Sequence, residues 1–83
     1  MSGLYPELSA KCEKAREALR EHMARRGLLE GNGWKIYEFT RPTHGGTELV
    51  LRPVHSALSS PDELECTCRI EEPGAQPVAE CRE

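Results

Sequence analysis

The chain has 83 residues, of which 37% are hydrophobic and 30% charged, with a formal net charge of −3. That composition describes a polar globular chain with a small core. It has no cationic excess to neutralise phosphates, so nucleic acid is not an expected partner, and no apolar run long enough to span a bilayer.

The N-terminal stretch MSGLYPELS has neither a basic n-region nor an apolar h-region. A cytoplasmic chain with reduced thiols is therefore expected, either whole or cut from a longer protein. A domain of this size often draws on a disulfide, a metal or a partner for stability.

Residues 6–26 read as one long helix. Pro6 suits a first helical position, with Ser9 as a competing N-cap. Leu8, Cys12, Ala15, Leu19 and Met23 recur at spacings of three and four and form one apolar stripe. The remaining surface is charged, with Glu7–Lys11 and Glu21–Arg25 at i,i+4 and Glu13–Arg16 and Glu17–Arg20 at i,i+3. Gly27 is placed to end the helix in a left-handed conformation.

Gly31-Asn32-Gly33 marks a turn. WKIYEFTR, residues 34–41, is rich in aromatic and β-branched residues and reads as a strand. A glycine-rich loop follows, and TELVLRPV, residues 47–54, returns, with Pro53 suggesting a strand end or an edge. Pairing Thr40 with Glu48 gives Tyr37, Phe39, Leu49 and Leu51 to the core. The opposite face then carries Trp34, Ile36, Val50, Arg52 and Val54. One helix covers one sheet face, so this second face is the expected contact surface, with Trp34 as its anchor.

Ser60-Pro61-Asp62-Glu63 has the form of a capping box and predicts a short helical turn. In LECTCRIEE, Leu64, Cys66, Cys68 and Ile70 alternate with polar residues. A Pro-Gly turn leads into a last strand, and a turn centred on Gly74-Ala75 sets Cys68 opposite Cys81. Cys12, Cys66, Cys68 and Cys81 then converge on one buried region. Buried free thiols are the expectation, because cysteine behaves as a small hydrophobe. A Cys68–Cys81 disulfide and a Cys₄ zinc site are the alternatives. C-x-C spacing disfavours zinc, since i and i+2 in a strand lie roughly 6.5–7 Å apart.

The three histidines are scattered, and no nucleophile–base pair is legible, so no enzyme activity, cofactor or metal is expected. REHMARRG, residues 20–27, could meet phosphoinositides or acidic partners, although cations at a helix C-terminus also complement its dipole. The pattern predicts an α+β domain spanning 1–83, with one long N-terminal helix on an antiparallel sheet of about four strands in two hairpins, 34–54 and 64–82. The expected function is a non-catalytic intracellular interaction module of a signalling or scaffold protein. It would bind a protein partner or a second copy of itself.

Overall fold

A computed structural model describes residues 4–57, 63–71 and 74–82. The α+β architecture is as expected, with helices α1 (Leu4–Lys11) and α2 (Glu13–Arg25) laid on one side of a four-stranded antiparallel sheet. The strands are β1 (Trp34–Thr43), β2 (Gly46–His55), β3 (Glu65–Arg69) and β4 (Val78–Arg82), arranged in sequence order. The predicted capping box, residues 60–63, lies outside the described residues apart from Glu63.

The single long helix is corrected to two shorter ones. Cys12 leaves the helical path, with φ −101° and ψ 28°, and its N–H bonds Ser9 C=O three residues back. Here the chain is tied by a disulfide from Cys12 to Cys68 of β3. Pro6 lies in the first turn of α1, where a missing N–H leaves no helical bond unmade. The apolar stripe does what its spacing predicts. Leu8, Cys12, Ala15, Leu19 and Met23 pack on Leu49, Leu51, Leu64, Cys66 and Cys68.

The exit from α2 is a Schellman motif. Gly27 takes φ +77°, its N–H bonds Ala24 C=O, and Leu28 N–H bonds Met23 C=O. This wrap sets Leu28 beside Met23. A turn of 3₁₀ helix, Glu30–Asn32, then reaches Gly33 at φ +95° and starts β1.

The first hairpin pairs Thr40 with Leu49 and Arg41 with Glu48, one residue away from the predicted register. Its loop is the two residues His44-Gly45. A slip of one exchanges the faces of β1 relative to β2. Trp34 and Ile36 therefore join Leu49, Leu51 and Pro53 beneath the helices, whereas Tyr37 and Phe39 lie on the open face. β2 is an interior strand that runs through Pro53 rather than stopping there. Pro53 faces Ile36 at a position where β2 offers β1 no N–H, and it lies beyond the paired length of β3, so the ladder loses nothing.

The second hairpin pairs Cys66 with Cys81 and Arg69 with Val78, two residues from the predicted register. An even shift preserves the faces, so Ala79 and Cys81 stay on the helix side.

Candidate functional site

β1 is an edge strand of the sheet, ten residues long. Ser56 N–H donates to Gly33 C=O at 3.0 Å, which fixes the phase of the ladder. By antiparallel alternation Lys35, Tyr37, Phe39 and Arg41 exchange bonds with β2, and the peptide groups of Ile36, Glu38 and Thr40 are directed away from it. Trp34 N–H, in the same outward phase, bonds Leu29 C=O at 3.2 Å. Pro42 has no outward N–H to offer and blunts the far end.

Beside this edge runs a cleft of about 200 Å³, bounded by Arg20, Met23 and Ala24 of α2, by Leu28, Leu29 and Glu30, and by Lys35 and Ile36 of β1. The Schellman wrap supplies its leucines. Leu29 is 48% exposed, unusual for so large an apolar residue. The sequence signal was Leu28-Leu29 directly after a helix-ending glycine, two leucines that no apolar stripe had claimed.

One end of the helix–edge gap is closed by an ion pair. Arg16 Nε donates to Glu38 Oε2 at 2.6 Å and Nη2 to Glu38 Oε1 at 3.1 Å. Ser9 Oγ donates to the same carboxylate at 3.3 Å and accepts from Arg16 Nη2 at 2.9 Å. Glu13 also pairs with Arg16. The hydrogen bond to Glu38 raises the Arg16 guanidinium above its ordinary pKa, against an opposing effect of partial burial. Ser9 is thus a bridge to β1, not the helix cap that its position suggested.

The open face of the sheet is a charged lattice around a few apolar side chains. Glu65, 12% exposed, meets Arg82 at 3.2 Å, Arg41 at 3.6 Å and Arg52 at 3.7 Å. Arg41 Nε also bonds Glu48 Oε2 at 2.6 Å, which raises the Arg41 pKa. Val50 is fully buried between its cross-strand neighbours Phe39 and Thr67. Tyr37 is 53% exposed, with its ring 5.5 Å from that of Phe39.

The five residues expected to form one contact face do not share it. Val50, Arg52 and Val54 are on the open face; Trp34 and Ile36 pack against the core on the helix side. Trp34 stacks edge-on against His55 at 5.0 Å, and His55 Nδ1 accepts Ala57 N–H at 2.9 Å, so Nε2–H faces Asn32 C=O at 2.7 Å. Along the basic end of α2, Arg25 reaches Glu21 at 3.9 Å and Arg20 turns to the cleft.

The thiol expectations are corrected as well. The cysteines form two disulfides, Cys12–Cys68 and Cys66–Cys81, and not free thiols or a Cys68–Cys81 bridge. Oxidised sulfur offers no thiolate, which removes the Cys₄ zinc alternative. Among the described residues no helix is long and apolar enough to cross a membrane. No protein-family model, curated protein or solved structure matches this chain.

Proposed function

We propose that the chain is a non-catalytic interaction module that takes an extended segment of a protein partner as an added strand beside β1. The observation that carries this reading is a ten-residue edge strand lying next to an apolar-floored cleft walled by a helix. Main-chain bonds along an edge supply affinity, and pockets for alternate side chains supply specificity. The open face around Tyr37 and Val54 is the weaker candidate, since its charges already pair with one another.

Two disulfides in one small chain support an oxidising compartment over the cytoplasmic placement expected from the sequence, because such bonds are rare where thiols are kept reduced.

The test uses peptides selected from a random octapeptide display library on the oxidised protein. Strand addition predicts that bound peptide shifts the amide resonances of Ile36 and Thr40 and slows their hydrogen exchange. Thr40→Pro removes an outward N–H without touching the β1–β2 ladder, so it should abolish binding with little loss of folding. Peptides that instead perturb Tyr37 and Val54, and bind Thr40→Pro normally, would refute strand addition.

A further inference from the structure

Arg16, Arg20 and Ala24 recur every fourth residue along the flank of α2 that faces β1. Arg16 shows what this flank does with a carboxylate: it takes that of Glu38 from the strand below through two hydrogen bonds. Arg20, one turn further on, lines the cleft and has no carboxylate within ion-pair distance among the described residues. Lys35 also borders the cleft, but it shares the strand phase of Tyr37 and Phe39, so its side chain belongs to the open face. The cleft's cation on the helix side is therefore Arg20, and its one acid is Glu30. Its floor is Met23, Leu28, Leu29 and Ile36. At about 200 Å³ it lies below the roughly 300–1,000 Å³ of sites that enclose a whole small molecule, and suits a single inserted side chain.

We propose that the segment docking beside β1 is an acidic–apolar one, whose carboxylate pairs with Arg20 while a bulky apolar side chain two residues away fills the cleft. This rests on the strand-addition reading. The spacing follows from the two lattices. An added strand sends residues i and i+2 to the same side about 6.5–7 Å apart, close to the roughly 6 Å along the helix from Arg20 to Ala24. Arg20 thus repeats with an incoming strand the contact that Arg16 makes with β1.

The experiment is parallel selection of the same octapeptide library on wild type and on Arg20→Glu, an exposed substitution whose fold is checked by its melting curve. Wild type should enrich Asp or Glu two positions from Leu, Ile, Met or Phe, and Arg20→Glu should enrich Lys or Arg at the acidic position. Changing the selected acid to its amide should weaken binding about fivefold at low salt, less at high salt.

Peptides that shift the β1 amides with no acidic preference, and that bind Arg20→Glu equally well, would overturn this inference while leaving strand addition standing. Peptides that leave the β1 amides unmoved would overturn both. A dimer of the chain that Thr40→Pro dissociates would put a second copy in the groove and overturn the acidic-segment assignment.

Discussion

The two disulfides are expected to carry much of the stability of this chain, unequally. Cys12–Cys68 closes a sequence separation of 56 residues and Cys66–Cys81 one of 15. In the chain-entropy account a cross-link restricts the unfolded ensemble more as its loop lengthens, which gives about 4 kcal/mol for the first and about 3 kcal/mol for the second. The whole folding free energy of a chain this size is of the order of 4–12 kcal/mol.

Reduction should therefore leave the domain largely unfolded or close to it. The paired variant Cys12→Ala/Cys68→Ala should lose about 4 kcal/mol, a fall in melting temperature of roughly 15–30 °C. The pair Cys66→Ala/Cys81→Ala should lose about 1 kcal/mol less, because its partners face each other across one hairpin. Urea denaturation of the two variants and of wild type, with and without reductant, measures this. Identical midpoints for oxidised and reduced wild type would refute the reasoning, as would a larger loss from the short-loop pair.

Two further outcomes follow from local geometry. Gly33 and Gly27 both have positive φ, but an added Cβ at Gly33 would stand 2.9 Å from His55 Nε2, whereas at Gly27 it would meet open space. Gly27→Ala should cost about 1 kcal/mol of backbone strain alone, and Gly33→Ala clearly more, with displacement of the His55 ring visible in its resonances. A double-mutant cycle of Arg16→Ala and Glu38→Ala by urea denaturation should give a coupling of about 1 kcal/mol, since the pair is hydrogen-bonded and half-buried; no coupling would mean that it does not hold α2 to β1.

Local periodicity by itself determined much of this fold. The five-residue stripe of the N-terminal helical segment, its glycine stop, the two hairpins and the convergence of four cysteines all follow from spacings within short windows. The helix-side placement of Cys66, Cys68 and Cys81 survived an error of two residues in register, because strand faces repeat with period two. The first hairpin had no such protection. Trp34 and Ile36 compete with Tyr37 and Phe39 as apolar residues of opposite phase, so pattern alone left both faces plausible, and a two-residue loop in place of the longer one decided between them.

The disulfide partners and the break at Cys12 were equally beyond the sequence. Each depends on which strand residue arrives beneath which turn of helix. The cleft is tertiary too. It exists because a Schellman wrap folds Leu28 back over Met23 while the β1 edge passes beneath, bringing together residues from a helix, a turn and a strand that share no local period.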